Sequence, residues 1–364
     1  MKKINRRTVL KGMFSAAGLS LAQNSLANLG LSLDLTDSPA LRRIAFGSCC
    51  DQNKPQLIWN SVIAKNPELF IFLGDNIYAD TEDMEVMANI YEQQGKNFAA
   101  IRNQCNVIAT WDDHDYGMND AGIEYPKRQE SRDLFLTFWG ELDSPRRRDD
   151  GIYHSYYYGP ADARVQVILL DLRYERAAIH KVGMLAEAGR HIKNMGPYRP
   201  AEDNRSMMSE QQWQWLEKQL KQPADLRIIG SSIQFLADFT GWEAWANYPA
   251  DKNRMLSLIK KTQANGIIFV SGDTHWAELS RQTEGVPYPL YDLTSSGLTN
   301  TWSQVSPNQH RKDDAYFAER NFGQITIDWQ GSDTEITLQI CDINGDAKIA
   351  HTVALSELQI KETA

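Results

Sequence analysis

Nothing in the 364 residues approaches the ~18 consecutive apolar residues that an ordinary membrane-spanning helix needs. Cysteine is scarce, at four residues, so the chain is no disulfide-dense scaffold. No period of a few tens of residues recurs, which argues against a solenoid or a propeller. Cations are in deficit, 38 Lys and Arg against 47 Asp and Glu, a net charge of −9. A broadly acidic surface suits polyanions poorly, so no nucleic-acid binding is expected. Three sequence signatures are also absent. Without Gly-x-Ser-x-Gly there is no serine-nucleophile elbow, and without a Gly-Lys-Ser/Thr loop no Walker-type cradle. Without Gly-x-Gly-x-x-Gly after the first strand, a dinucleotide fold loses support. What remains, 42% hydrophobic and 23% charged residues, is the composition of a globular chain with a substantial core.

Residues 1–27 hold Lys2, Lys3, Arg6, Arg7 and Lys11 and no acid. The run Asn5-Arg6-Arg7-Thr8-Val9-Leu10-Lys11, followed by a short, mildly apolar stretch from Met13 to Ala22, has the order of a twin-arginine export signal. It predicts a periplasmic or secreted protein and the twin-arginine translocase as a transient partner. Residues 28–42 read as a tether and 43–364 as one catalytic domain, since no Pro/Gly/Ser-rich linker divides them. In an exported protein the four cysteines permit disulfides; a Cys49–Cys50 bridge would be strained, and free thiols are as compatible with folding in a reducing cytoplasm.

Strand and helix signals alternate at first. Strands are expected at 43–49, 68–74 and 106–111, and helices at 55–66, 81–102 and 131–140. A hairpin spans Tyr153–Tyr158 and Arg164–Leu172 around Gly159-Pro160. The polar stretch 174–206 is long enough to be a lid. A helix follows at 209–221 with Ser209 as its N-cap. Strands at 225–236 and 266–271 flank a helix at 251–264, and β structure dominates from 278 onward, with Asn344-Gly345 as a hairpin turn. Early βαβ units and late strands imply an α/β (α+β) chain with a mixed pair of sheets and helices outside.

Four of the apolar strands end abruptly in metal- or proton-binding groups: Ser48-Cys49-Cys50-Asp51, Gly74-Asp75-Asn76-Ile77-Tyr78, Trp111-Asp112-Asp113-His114-Asp115 and Ser271-Gly272-Asp273-Thr274-His275. In α/β sheets, ligands gather beyond the carboxyl ends of strands. Carboxylates, imidazole, a phenol and a thiol can together hold two or more cations, and the acids would repel one another without them. Two cations ~3.5–4 Å apart are the usual arrangement for displacement at phosphorus, where they activate a hydroxide.

Phe46-Gly47-Ser48-Cys49, Leu73-Gly74-Asp75-Asn76-Ile77-Tyr78, Trp111-Asp112-Asp113-His114-Asp115, Leu170-Asp171-Leu172-Arg173 and Gly272-Asp273-Thr274-His275 occur in that order. This set resembles the alkaline phosphatase D (PhoD-like) family of metallophosphatases, from about Arg43 to Ser280. The Gly-Asp-x-x-Tyr element is also similar to purple acid phosphatases, where the Tyr binds ferric iron. The resemblance implies a calcineurin-like metallophosphatase fold, a four-layer αββα sandwich of two mixed sheets. It implies Fe3+ and Ca2+, with Mn2+ or Zn2+ as alternatives. By position, Cys49 and Tyr78 would bind iron and Asp75 would bridge iron and calcium. Asp113 would bind the second metal, and Asp112, Asp273 and His275 would complete the metal shell. His114 would contact phosphate or protonate the leaving oxygen, and Arg173 would clamp phosphate. The expected function is hydrolysis of a phosphate ester or phospholipid, diester ahead of monoester, by metal-activated hydroxide. The alternatives are an exported metallohydrolase of another ester class and a non-catalytic phosphate- or metal-binding protein.

Other residues have plainer readings. Cys50, Cys105 and Cys341 suit a core, Asp171 and Arg173 could pair with each other, and Arg146-Arg147-Arg148 suits a solvated loop. Trp242, Trp245, Tyr248 and Trp302 pack, or line a cleft that stacks a nucleoside.

Overall fold

The computed structural model describes residues 38–141, 144–147, 150–238 and 240–361. The expected signal at 1–27 and most of the tether lie outside the described residues. Strands β1 (Arg43–Gly47), β2 (Leu69–Leu73), β3 (Asn106–Thr110), β4 (His154–Tyr158), β5 (Val165–Leu169), β6 (His180–Lys181) and β7 (Tyr198–Arg199) come first. They are followed by β8 (Leu226–Ser231), β9 (Ile267–Ser271), β10 (Ala277–Gln282), β11 (Leu290–Ser295), β12 (Arg311–Phe317), β13 (Asn321–Asp328), β14 (Glu335–Asp342) and β15 (Ala347–Ala354). One six-stranded sheet has the order β15-β14-β13-β1-β2-β3, and a seven-stranded sheet has the order β12-β10-β11-β9-β8-β5-β4. Both are mixed. β1, β2 and β3 run parallel, as do β5, β8, β9 and β11, while β13, β4 and β10 join them antiparallel.

The alternation in β2 builds the layers. Its sequence Leu-Phe-Ile-Phe-Leu is buried throughout. Leu69, Ile71 and Leu73 join a core with Val167, Ile229 and Phe269 of the second sheet, so they point between the sheets. Phe70 and Phe72 point the other way, into a second core with Trp59, Phe98 and Phe135. Trp59 and Phe98 meet edge to face at 5.6 Å. They lie on or beside helices α1 (Ile58–Ala64), α2 (Met84–Asn97), α3 (Ala99–Gln104) and α5 (Arg128–Phe138); the short α4 (Asp113–Tyr116) belongs to the site. After α6 (Met184–His191) in the long polar stretch, α7 (Glu210–Leu220) and α8 (Pro249–Thr262) cover the far side of the seven-stranded sheet with Trp213, Leu216, Met255 and Ile259. The order of layers is helix, sheet, sheet, helix, as expected.

Local expectations hold in most places. The β14–β15 hairpin turns at Asn344-Gly345, with Gly345 at φ 85° and the Asp342 carboxylate accepting from the Asn344 and Asp346 amides. Ser209 caps α7, its hydroxyl accepting from the Gln212 amide at 3.1 Å. Ser209→Ala is expected to cost about 1 kcal/mol in chemical denaturation. The helix expected over 81–102 is two, broken at Phe98, where the backbone turns so that the ring can enter the aromatic core. The strand β10 stands where β structure is expected from 278 onward, although its side chains are largely polar. Its Glu278 is fully buried and accepts from Gln234, Asn308, Arg311 and Trp276.

Two readings are corrected. Arg146 is not in a solvated loop; it is 1% exposed and donates to the carbonyls of Ile152 and Ala109 and to Tyr156. Asp171 does not pair with the Arg173 guanidinium; its carboxylate accepts from the backbone amides of Ile152, Arg173 and Tyr174 and from the Trp111 indole. All four cysteines are free and buried.

Candidate metal centre

Every expected site residue follows the carboxyl end of a parallel strand. Cys49 follows β1, Asp75 and Tyr78 follow β2, and Asp112, Asp113 and His114 follow β3. Arg173 follows β5, and Asp273 and His275 follow β9. Both sheets present these ends to one cleft. The turns are sharp. Gly74 sits at φ +104°, and a Cβ there would lie 2.4 Å from the Asp112 Cβ, which explains why glycine precedes Asp75. Cys49, Asp75, Asp273 and His275 themselves hold positive φ, at 59°, 48°, 71° and 64°. Such conformations cost roughly 1–3 kcal/mol each and persist only where the surroundings impose them.

Three acidic groupings form, each with ligand atoms within 4.8 Å of one another: Asp75 with Asp113 and His114; Asp112 with Asp113 and Asp273; Asp113 with Asp120 and Glu243. Asp113 is common to all three. The Cys49 thiol and the Tyr78 hydroxyl both approach Asp75 Oδ2, at 3.4 and 3.3 Å. Ser296 Oγ is 3.1 Å from Cys49 Sγ and accepts from the His275 amide at 2.8 Å, so the loop after β11 joins the site.

The donor set fits cations. Asp75 Oδ1, Asp112 Oδ2 and His275 Nδ1 are buried with no hydrogen-bond partner among the described residues, although such atoms are ordinarily satisfied. Burial, reinforced by the charge of Asp113, pushes the Asp75 carboxyl well above the usual range. Burial and then Asp112 and Asp113 do the same to Asp273. Burial raises Cys49 and Tyr78 too, and Asp75 adds to both. Cations reverse this logic, because they stabilise the ionised forms that the protein alone disfavours.

His114 lies at the edge of the group, its ring 4.2 Å from that of Tyr78. Its Nδ1 is 2.7 Å from Asp80 Oδ2, so Nδ1–H donates to the carboxylate and Nε2 is left for other work. Burial opposes charge on this ring, but Asp75, Asp113 and the bond to Asp80 outweigh it and raise it to about 11. Burial holds His275 down at about 4, neutral and able to ligate.

Arg173 is fully buried. Its Nε donates to Asp112 at 2.6 Å, and its two terminal nitrogens donate to Glu243 at 3.1 and 2.7 Å. Arg176 also donates to Glu243, and its other terminal nitrogen to the Asp120 carbonyl. The fork expected to clamp phosphate is thus engaged by protein carboxylates. Tyr198, from the long stretch after β5, donates to Asp120. Asp80, Asp120, Glu243 and Ser296 escaped the sequence reading. Asp80 had a signal, two residues beyond Tyr78; Glu243 sits in a loop with no local pattern, and only the fold delivers it.

The comparisons agree with this geometry. The family model for PhoD-like phosphatase matches residues 44–313. Alkaline phosphatase D of Bacillus subtilis (strain 168) is 23% identical over 198 residues, 47% of this chain and 31% of that protein, so the match spans under a third of the relative's length. Among solved structures, one of PhoD aligns with a TM-score of 0.63 at 16% identity, over 89% of this chain and 69% of that one. A dimetal phosphatase from Danio rerio aligns with 0.53 at 14%, over 88% and 100%. GAP50, the anchor in the inner membrane complex of Plasmodium, aligns with 0.53 at 11%, over 89% and 90%. At these identities the structures show a shared fold. The family match, spanning most of the chain and all of the strand ends described above, shows that this chain belongs to the PhoD-like phosphatase family.

Proposed function

We propose that this chain is a metal-dependent phosphoesterase that hydrolyses phosphate esters, diesters first. The observation that carries this reading is the convergence of Asp75, Asp113 and His114 around unpartnered buried ligand atoms. Cys49, Tyr78, Asp75, Asp112, Asp113, Asp273 and His275 would hold the cations. A thiolate and a phenolate beside the Asp75 carboxylate would favour Fe3+, and the neighbouring carboxylates would favour Ca2+. The cations would polarise the phosphoryl oxygens and lower the pKa of an attacking water.

The chain's own groups do the rest. Asp80 fixes the His114 ring, so that Nε2 delivers a proton to the departing oxygen. Arg173 is a positioning residue, holding Asp112 and Glu243 in fixed orientation through its guanidinium. The export signal at 1–27, the tether at 28–42 and a periplasmic or secreted location belong to the same proposal, on the strength of Asn5–Lys11.

The first test is elemental analysis of natively produced protein together with turnover of p-nitrophenyl esters. Iron and calcium near one equivalent each, a visible charge-transfer band from Tyr78 and diester hydrolysis are expected. Zinc or manganese in their place would retain the hydrolase and remove the Fe3+/Ca2+ assignment. Phosphate binding without turnover would overturn the enzyme. A second expectation concerns His114: His114→Ala should lower kcat by roughly 10²–10⁴-fold for an alkoxide leaving group and far less for p-nitrophenolate, which needs no proton. Equal losses for both would remove His114 as the acid.

A further inference from the structure

Beside the metal centre lies a cavity of about 360 Å³ that the mechanism does not use. Its floor is Trp302, 43% exposed, whose ring stacks on His275 at 5.0 Å and 18°. The Trp302 amide also donates to the His275 carbonyl at 2.9 Å, so the indole is fixed to the edge of the site. Trp242 meets Trp302 edge to face at 5.2 Å and forms a second wall. Met195, Thr301, Ser303 and the amide-bearing residues Asn194 and Gln304 also line it, with His191, among the described residues, the one titratable group in it.

Three chain segments are tied together to make this shape. The Gly196 amide donates to the Thr240 carbonyl, and Ser306 donates to the Asn194 carbonyl. An added Cβ on Gly196 would lie 2.3 Å from the Gly241 carbonyl oxygen, so the two backbones are in direct contact there. The cavity is built: Trp242 stands next to Glu243, and Trp302 belongs to the loop after β11 that also carries Ser296.

We propose that this cavity is the subsite for a planar, uncharged substituent of the substrate, of the nucleobase or aryl class. The inference rests on the phosphoesterase reading and narrows it. Among the described residues, no Asp, Glu, Lys or Arg lines the cavity, which disfavours a charged substituent. One face of the Trp302 indole lies on His275, and the 43% of the residue that stays exposed is the surface left for stacking, which is tolerant of base identity. The amides of Asn194 and Gln304 offer both donors and acceptors, the pairing a base edge requires and an alkyl chain does not. A phosphomonoester leaves such a space empty after its single substituent departs; a diester keeps a second group to fill it.

The experiment compares thymidine 5′-(p-nitrophenyl) phosphate with methyl p-nitrophenyl phosphate on metal-loaded protein. The leaving group is the same, so the ratio of kcat/KM values isolates the second substituent and cancels any damage to the metal centre. The native protein is expected to favour the thymidine ester by about 10-fold or more, the order of one base stacked on an aromatic. Trp302→Ala and Trp242→Ala should each collapse that preference, and Trp302→Phe should keep most of it. A native ratio near one, or a ratio that both alanine variants leave unchanged, overturns the subsite. An octyl p-nitrophenyl ester preferred over the thymidine ester, with the preference lost in Trp302→Ala, also overturns it in favour of an alkyl chain. If no phosphate ester is turned over, the phosphoesterase reading fails by itself. Calorimetric titration with thymidine, which needs no turnover, then decides the cavity: weaker binding by Trp302→Ala supports it, and no binding by native protein overturns it.

Discussion

Asp75→Asn is expected to abolish turnover and tight cation binding together, and to shift thermal stability in opposite directions with and without metal. Asp75 is 1% exposed, one of its oxygens has no partner and the other is shared by the Cys49 thiol and the Tyr78 hydroxyl. In cation-free protein its ionisation is opposed by burial and by Asp113. The amide removes that charge without changing shape, so chelator-treated variant should melt above chelator-treated native protein. With cations present the order reverses, because only native protein gains the linkage free energy of a bound ion. The loss in kcat/KM should reach at least 10²–10³-fold, on the order of one electrostatic contact to a transition state. Calorimetry in chelator and in added metal, with elemental analysis, checks it. Unchanged metal content and unchanged melting in both buffers would reduce Asp75 to a structural group.

The second large effect is on folding. Arg173→Met is expected to destabilise the protein by about 3–5 kcal/mol, because it strands buried carboxylates that Arg173 neutralises. Arg173→Lys should recover little of this, since one ammonium cannot meet Asp112 and both oxygens of Glu243 in the geometry of a planar fork. Denaturant unfolding of both variants reads the effect. The alternative, a direct phosphate clamp, predicts for Arg173→Lys a raised KM at nearly native stability, so melting and kinetics together separate the two roles.

The strand ends were legible because each is local: an apolar run buried on both faces must stop, and Gly74-Asp75 or Asp112-Asp113-His114 stand where it stops. The layer order was legible for the same reason, since alternation in β2 and helical spacing over 209–221 report which faces are buried. The burial of Arg146, the partners of Arg173 and the place of Glu243 were not legible. A buried charge looks like a solvated one in sequence, and only its partner, 70 residues away for Arg173 and Glu243, distinguishes them. β10 was legible only as part of the β-rich stretch from 278, its buried Glu278 being satisfied inside the protein by residues up to 44 positions away. Asp120 joins the site directly, its amide donating to Asp113 Oδ2 at 2.7 Å, and Tyr198 reaches it there from 78 residues later.

The strand ends that meet at the centre belong to different sheets, and the two halves of the cleft are far apart in the chain. Cys49 and Ser296 touch across 247 residues, and Thr299 returns its hydroxyl to the Cys49 carbonyl across 250. Contacts of that separation form late in folding and slow it. During synthesis the carboxylates after β2 and β3 emerge long before Asp273 and His275, so an early chain carries half a site. The full ligand set is therefore assembled only once β9 and the loop after β11 are in place. A cation held, as proposed, by Asp75 and Asp113 together with Asp273 and His275 would act as a clasp between the first and last thirds of the protein.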